Sequence, residues 1–83
     1  MTYIVYILQS QKDKSFYIGS TSDLENRMLE HNYEGLGYTS KKRPWKVVYT
    51  EKYEMKPEAL KREKHIKRLK SRKYIEKLIG LGP

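Results

Sequence analysis

The feature that most constrains the fold is a dense apolar run near the start of the sequence, YIVYIL at residues 3–8. Its β-branched and aromatic residues do not alternate with polar ones, which predicts a strand over residues 2–9 that is buried on both faces. The run is far shorter than the roughly 20 residues that span a bilayer, so we do not expect it to cross a membrane. Other elements must therefore cover both sides of this strand.

A second strand is predicted immediately after the first. The five polar residues QKDKS at 11–15 are typical of a turn, and FYIGS at 16–20 has the composition of a short strand. Strands joined by so short a connection pair as an antiparallel hairpin. We therefore expect the two strands to lie side by side in one sheet.

The first helix is predicted directly after the hairpin. Ser22 and Glu25 have the spacing of a capping box, which predicts a helix over residues 23–32. Leu24 and Met28 lie one turn apart on this helix, so we expect them to form its inner face.

The remaining sequence predicts one loop, one strand and two helices. Two glycines, a proline and a basic run are typical of a loop over residues 33–44, and WKVVYTEKY at 45–53 is typical of a strand. Pro57 suits the first helical position, and a helix is predicted over 58–70. Ser71 is expected to cap a last helix over 72–79, which Gly80 is expected to end.

The order β-β-α-β-α-α predicts an α+β fold, in which helices flank a small three-stranded sheet of antiparallel type. Three strands covered by helices are about the minimum that is stable alone. A chain of 83 residues has the size of one domain. We therefore expect residues 1–83 to form a single domain.

Charge is distributed very unevenly along the chain, whose formal net charge is +8. Residues 1–40 contain three cationic and five acidic residues, a balance of −2, whereas residues 41–83 contain fifteen and five, a balance of +10. A cationic half of this kind is typical of proteins that contact phosphate backbones. A lysine-rich helix that is merely solvated is the simpler alternative. The basic residues expected to contact nucleic acid are Lys41, Lys42, Arg43, Lys64, Lys67 and Arg68.

Several kinds of chemistry are excluded by what the sequence lacks. The absence of cysteine excludes disulfides and thiolate metal sites, and it agrees with a reducing, cytoplasmic location. The sequence has no glycine-rich phosphate loop, no zinc-spaced histidine cluster and no nucleophile elbow. Nucleotide hydrolysis by a P-loop and acyl transfer by serine are therefore not expected.

Glu63 is the first candidate for a functional side chain. At about 100° per residue, it falls inside the arc of Ala59, Leu60 and Ile66, so its carboxylate is expected to face the protein. One explanation is an ion pair with Lys67, four residues later, which contributes a few tenths of a kcal/mol. The other is metal binding, because an inward carboxylate is costly unless it is paired, and Mg²⁺ is commonly held by one or two carboxylates plus phosphate.

Arg27 and His31 are the next candidates, because they lie one helical turn apart on the same face. Guanidinium groups match phosphate oxygens, and imidazole transfers protons near neutral pH. An ordinary exposed helix also produces such a pair. Tyr6 and Tyr17 lie on the two neighbouring predicted strands, where tyrosine is usually part of the core. Gly19 is explained either by a tight turn or by close approach of a substrate to the backbone.

Taken together, these residues resemble the GIY-YIG nuclease domain family. IVY at residues 4–6 stands where the first signature triplet falls, and YIG at 17–19 matches the second, with ten residues between them. The resemblance continues through LENRMLEH, YTSKKRPWKVVY and EALKREKHIK and covers roughly residues 3–77. Ile4 departs from the pattern, which has glycine there, and the asparagine that some members place late in the domain has no counterpart.

The resemblance implies a phosphodiesterase that acts on DNA with a divalent metal. Tyr6 and Tyr17 would orient and help deprotonate the attacking water, and Arg27 would stabilise charge on the phosphate. His31 would assist proton transfer, Glu63 would hold Mg²⁺ or Mn²⁺, and Tyr38 would be an extra participant. A phenol has a pKa of about 10, so a tyrosine base requires nearby cations that lower it. Arg27 and the loop lysines are expected to supply them.

Three hypotheses for function follow. The first is an endonuclease that cuts branched or damaged DNA in repair or recombination. The second is a module that binds DNA or RNA through a degenerate nuclease site, with an affinity that falls steeply with salt. The third is a subunit that a protein partner activates, and the sequence leaves both that partner and self-association open.

Overall fold

The computed structural model describes residues 1–33 and 37–81, and it confirms the predicted α+β fold. In chain order the elements are β1 (Tyr3–Ser10), β2 (Phe16–Thr21), α1 (Leu24–Tyr33), a 3-10 helix (Gly37–Lys42), β3 (Trp45–Tyr53), α2 (Lys56–Leu69) and α3 (Arg72–Leu81). The predicted order β-β-α-β-α-α is therefore correct, and the predicted loop contains a short 3-10 helix. Among the described elements, no helix is long and apolar enough to span a membrane.

β1 is the central strand of a three-stranded antiparallel sheet with the order β2-β1-β3. Its register places Tyr6 opposite Gly19 of β2 and opposite Thr50 of β3. Because β1 has a strand on each side and helices on both faces, all four side chains from Val5 to Leu8 are buried. The unbroken apolar run is thus explained by its central position.

The two faces of β1 belong to two separate cores. Val5 and Ile7 face α2 and α3 and pack with Ala59, Ile66 and Ile75. The residues that pack together on the other face are Tyr6, Leu8, Trp45, Leu24 and Met28. The predicted inner face of α1 is therefore confirmed.

The ends of the helices differ from the prediction at several places. α2 begins at Lys56, so Pro57 is its second residue and not its first. The backbone N–H of Asn26 donates to Oδ1 of Asp23 at 3.1 Å, so Asp23 caps α1, and the expected capping box of Ser22 and Glu25 does not. At the other end of the chain, α3 continues through Gly80 instead of ending before it. Ser71 does cap α3, since its Oγ accepts from the N–H of Tyr74 at 3.1 Å.

α2 is attached to β3 by a charged network. The carboxylate of Glu51 accepts hydrogen bonds from Arg62 at 2.9 and 3.0 Å and from the hydroxyls of Tyr49 and Tyr53. Burial alone would raise the pKa of Glu51, but these donors outweigh it and lower the pKa. Arg62 therefore has a structural partner, which fixes how α2 is rotated on the sheet.

The cap of α1 gives a direct test of this fold. We expect Asp23→Ala to lower the free energy of unfolding by about 1 kcal/mol, because the N–H of Asn26 loses its acceptor. Ser22→Ala is the matched control and is expected to change stability little. Urea unfolding of both variants measures the difference, and a larger loss for Ser22→Ala would contradict the assignment of the cap.

Candidate active site

The site begins with the pairing of Tyr6 and Gly19 across β1 and β2. A Cβ atom at Gly19 would lie 2.5 Å from the hydroxyl oxygen of Tyr6 and 2.7 Å from its Cζ. The ring of Tyr6 therefore lies directly over Gly19, inside β2 and not at a turn. Glycine is required here because a side chain would collide with the ring of Tyr6. The sequence analysis proposed a tight turn or the close approach of a substrate, and neither explanation included this contact.

His31 meets Tyr6 from the last turn of α1. The hydroxyl of Tyr6 and Nε2 of His31 are hydrogen bonded at 3.0 Å, and both side chains are almost fully buried. Leu24, Met28 and His31 have the i, i+4, i+7 spacing of one helical face, so the packing of the first two turns His31 inward. The end of α1 is held to β3 because the N–H of Trp45 donates to Oδ1 of Asn32 at 2.7 Å.

Tyr17 completes a cluster of rings from three elements. Its ring centre lies 4.9 Å from that of His31 and 6.4 Å from that of Tyr6. Tyr17 is only partly buried, whereas Tyr6 and His31 lie behind it. The structure thus brings together three of the residues selected from the sequence, and Tyr17 is the one nearest to solvent.

Burial controls the protonation of this cluster. It lowers the pKa of His31, and the positive charge of Arg27 lowers it further, so the imidazole is neutral at pH 7. Burial also raises the pKa of Tyr6, to which the neighbouring Tyr17 and Glu63 contribute. Arg27 acts in the opposite direction on Tyr6 but is outweighed. Arg27 therefore lowers the pKa of Tyr6 as expected, but the net pKa still lies above its ordinary value.

Arg27 lies beside the ring cluster and partly in solvent. Its side chain is 42% exposed, and its Nε is 4.0 Å from Oε1 of Glu30. Arg27 also lines a cleft of about 220 Å³ between α1, the end of β2 and the start of α2. The other residues of this cleft are Tyr3, Ser20, Thr21, Ser22, Lys56, Ala59 and Leu60. A guanidinium, an ammonium and four hydroxyls in one cleft suit a phosphate group.

Glu63 reaches β2 from α2. Its Oε1 accepts a hydrogen bond from the hydroxyl of Ser20 at 2.5 Å, and its Oε2 is 2.6 Å from Nζ of Lys67. The ion pair expected with Lys67 is therefore present, and the side chain of Glu63 faces the protein as expected, since it is only 16% exposed. Leu60, expected on the same inward arc, is instead 39% exposed.

Ser20 holds Glu63 at β2, next to Gly19. It follows Gly19 in β2, so its side chain lies on the α2 face of the sheet, opposite to the face of Tyr6. β2 is an edge strand, and the negative charge of Glu63 still helps to raise the pKa of Tyr6 from the other face. No local pattern indicated Ser20, because its partner lies 43 positions away.

A divalent cation fits this carboxylate as a site with a single protein ligand. Within residues 1–33 and 37–81, no group of three or more histidine, aspartate or glutamate side chains is arranged to hold a metal. Mg²⁺ does not require such a group, because water and substrate phosphate supply most of its ligands. The ammonium of Lys67 already stands as a positive charge against Oε2 of Glu63. The donor set is therefore compatible with Mg²⁺ or Mn²⁺.

The basic residues selected from the sequence fall into two groups. Lys42 is paired with Asp13 at 3.0 Å, and Arg43 donates to the carbonyl oxygens of Ser40 and Asn32 at 3.0 and 3.1 Å. These two cations stabilise the 3-10 helix and its neighbours. Lys41, Lys64, Lys67 and Arg68 are exposed, although Lys67 is paired with Glu63. The side chain of Tyr38 lies outside the described residues.

Comparison with known proteins places the chain in a class of nucleases. The model of the GIY-YIG catalytic domain matches residues 2–75. The chain therefore belongs to the GIY-YIG family, a nuclease family, and the resemblance found in its sequence is confirmed.

Individual relatives are similar over almost the whole chain. A UPF0213 protein of Staphylococcus saprophyticus is 42% identical over 81 residues, which cover 96% of each chain. A UPF0213 protein of Staphylococcus aureus is 45% identical over 67 residues, or 80% of each chain. The solution NMR structure of a UPF0213 protein from Bacillus halodurans has a TM-score of 0.62 at 36% identity, with 98% of this chain and 85% of that chain covered.

The close fit of Gly19 under Tyr6 predicts that even one added methyl group is harmful. We expect Gly19→Ala to lower the free energy of unfolding by about 1–3 kcal/mol, because a buried, hydrogen-bonded ring must move. Gly80→Ala is the control, since nothing lies within 4 Å of its added Cβ. It is expected to be neutral or slightly stabilising. Equal losses in urea unfolding would disprove the steric explanation.

The lowered pKa of His31 predicts a pH dependence of stability. The unfolded chain takes up the proton first, near the ordinary pKa of 6.5, so stability is complete above that pH and falls below it. One proton limits the loss to about 1.4 kcal/mol per pH unit. We expect His31→Gln to lose less stability than the wild type between pH 7.5 and 5.5, measured by urea unfolding across this range. His65→Gln, which alters the exposed histidine, should behave like the wild type, and an unchanged slope in His31→Gln would refute the assignment.

Proposed function

We propose that this chain is a divalent-metal-dependent endonuclease that hydrolyses phosphodiester bonds in DNA. The observation that carries the proposal is the convergence of Tyr6, Tyr17 and His31 from β1, β2 and α1 into one cluster. Arg27 lies beside this cluster, and Glu63 lies at the adjoining strand edge. Phosphoryl transfer depends mainly on positioning and on neutralising charge, which such a set of groups supplies.

Arg27 is proposed to bind the phosphate that is cut. Its guanidinium is partly exposed and lines the cleft between α1 and α2, where Lys56 adds a second cation. A guanidinium donates two parallel hydrogen bonds to phosphate oxygens, and its charge stabilises the negative charge that develops in the transition state. Tyr17 is proposed to hold the attacking water, because it is the ring of the cluster that lies nearest to solvent.

Tyr6 and His31 are proposed to receive the proton of that water. As the water oxygen bonds to phosphorus, its proton passes to the hydrogen-bonded pair of Tyr6 and neutral His31. The bond between phosphorus and the leaving sugar oxygen breaks, and that oxygen takes a proton from solvent. In the free protein the pKa shifts of both groups oppose ionisation of Tyr6. A divalent cation held at Glu63 would act in the same direction as Arg27 and favour ionisation of Tyr6.

Glu63 is proposed to hold the metal through Oε2, which Lys67 occupies in the free protein. The bound cation supplies Lewis-acid stabilisation of charge on the phosphate. Ser20 fixes Oε1 and so keeps the carboxylate turned toward the edge of β2. Lys67 must move away from Oε2 when the cation binds, and its ammonium is then available to the phosphate backbone.

Substrate and cellular role follow from the same proposal. Residues 1–83 are taken to work as one domain on branched or damaged DNA in cytoplasmic repair or recombination, supported by the +10 balance of residues 41–83. A non-catalytic module that binds DNA or RNA is the second candidate. Two observations favour it: the pairing of Glu63 with Lys67 and the raised pKa of Tyr6.

Glu63→Gln separates the two candidates. The wild type is expected to cut at least one of a set of labelled nicked, flapped and branched DNAs in the presence of Mn²⁺. Glu63→Gln should reduce the cleavage rate by about 100-fold or more, because the charge that holds the cation is lost. Glu76→Gln is the matched control, since it removes an exposed carboxylate of α3 and leaves the site intact.

Binding of Mn²⁺ without DNA, followed by electron paramagnetic resonance, gives a readout that does not depend on cleavage. Glu63→Gln should bind the ion more weakly, and Lys67→Gln should bind it more tightly because the competing ammonium is absent. A different result would establish the non-catalytic module instead. In that case the wild type and all variants bind DNA without cutting it, and Glu63→Gln leaves Mn²⁺ binding unchanged.

A further inference from the structure

α2 carries a second concave surface that the candidate active site does not use. A cleft of about 570 Å³ lies between the end of β3 and the outer side of α2. Its lining residues are Tyr53, Glu58, Lys61, Arg62, Lys64, His65 and Arg68. We call it the α2 cleft. Four of its seven lining residues are lysine or arginine, so it attracts anions.

The α2 cleft points away from the candidate active site. Around the helix axis, Lys61 and Arg68 are rotated by about 160° and 140° from Glu63, and Lys64 by about 100°. Glu63 points to Ser20 of β2 at one edge of the sheet. The cleft instead adjoins Tyr53 of β3, the strand at the other edge. The same helix therefore presents different groups to two different surfaces.

Three of the four cations that line the α2 cleft form no ion pair within the described part of the chain. Among the described residues, Lys61, Lys64 and Arg68 have no carboxylate within 4.0 Å. Arg62 is different, because Glu51 holds it at 2.9 Å. Glu58 supplies the single negative charge among the lining residues. Three cations against one carboxylate leave an excess of positive charge that the fold itself does not need.

Their spacing suits a chain of phosphates better than a single anion. At 1.5 Å per residue, Lys61, Lys64 and Arg68 are distributed over about 10 Å of the helix axis. One strand of DNA carries a charge about every 3.4 Å along its axis, so this length matches about three successive phosphates. His65 adds an imidazole N–H that can donate to a phosphate oxygen.

We propose that the α2 cleft is a second binding surface for the DNA backbone, which contributes affinity and takes no part in the chemical step. The choice of DNA as ligand rests on the proposed function, whereas the site itself does not depend on catalysis. Lys61, Lys64 and Arg68 contact phosphates there, and Glu63 acts separately on the other flank of α2. The nuclease thus holds its substrate at two places on one rigid helix.

The test is a salt titration of DNA binding. The triple variant Lys61→Gln/Lys64→Gln/Arg68→Gln is compared with the wild type by fluorescence anisotropy of a labelled duplex in EDTA, so that no cleavage occurs. Losing three phosphate contacts should reduce the slope of log K against log salt by about 2.7. The triple variant Lys52→Gln/Lys73→Gln/Lys77→Gln removes the same net charge from exposed positions and should keep most of the slope.

An unchanged slope in the cleft variant, or equal reductions in both triple variants, would overturn the proposal. Amide chemical shifts of the unmodified protein give a second measurement that no folding defect can affect. Duplex DNA should shift the amides of Tyr53 and of residues 61–68. Shifts confined to α1 and β2 would refute the second surface. Poly-glutamate that shifts the cleft amides at lower concentration than DNA would show that the surface fits an acidic protein segment instead.

These outcomes are distinguishable from failure of the proposed function. Binding is measured without metal, so a protein that never cuts DNA still supports the α2 cleft if its slope falls as expected. Conversely, the protein could cut DNA while its cleft variant keeps both the salt slope of binding and the cleavage rate. That result would support the proposed function and overturn the second surface.

Discussion

The pairing of Tyr6 with Gly19 is the contact on which the rest of the site depends. It sets the phenol end of the Tyr6 ring over a residue without a side chain, where its hydroxyl meets His31 and its neighbour is Tyr17. Because strand side chains alternate between faces, a shift of one residue would turn Tyr6 into the core of α2 and α3. The central position of β1, paired on both sides, holds this register.

Burial holds the ring cluster in place and also sets the protonation of Tyr6 and His31 in the free protein. The same desolvation that makes Tyr6 and His31 part of the core keeps the phenol protonated and the imidazole neutral. Arg27 acts against this effect on Tyr6 but does not overcome it. In the free protein both groups are thus neutral at pH 7.

Each side of α2 faces a different environment. Ala59 and Ile66 are buried against β1, and Arg62 is locked to Glu51 of β3. Glu63 is held by Ser20 at the edge of β2. On the exposed side, Lys61, Lys64 and Arg68 have no carboxylate within 4.0 Å among the described residues. The rotation of one helix on the sheet therefore decides which charge faces β3, which faces β2 and which faces solvent.

The sequence by itself determined the order of elements, the central strand and the inner face of α1, because these depend on apolar spacing between near neighbours. It also indicated five candidate site residues, namely Tyr6, Tyr17, Arg27, His31 and Glu63. Only the tertiary structure decided which of them meet: Tyr6 and His31 are 25 positions apart, and Ser20 and Glu63 are 43 apart. Structural roles for Lys42 and Arg43, and the exposure of Leu60, were likewise hidden from a local pattern. Such contacts depend on sheet register and on burial, which arise from the packing of distant segments and from no single stretch of the chain.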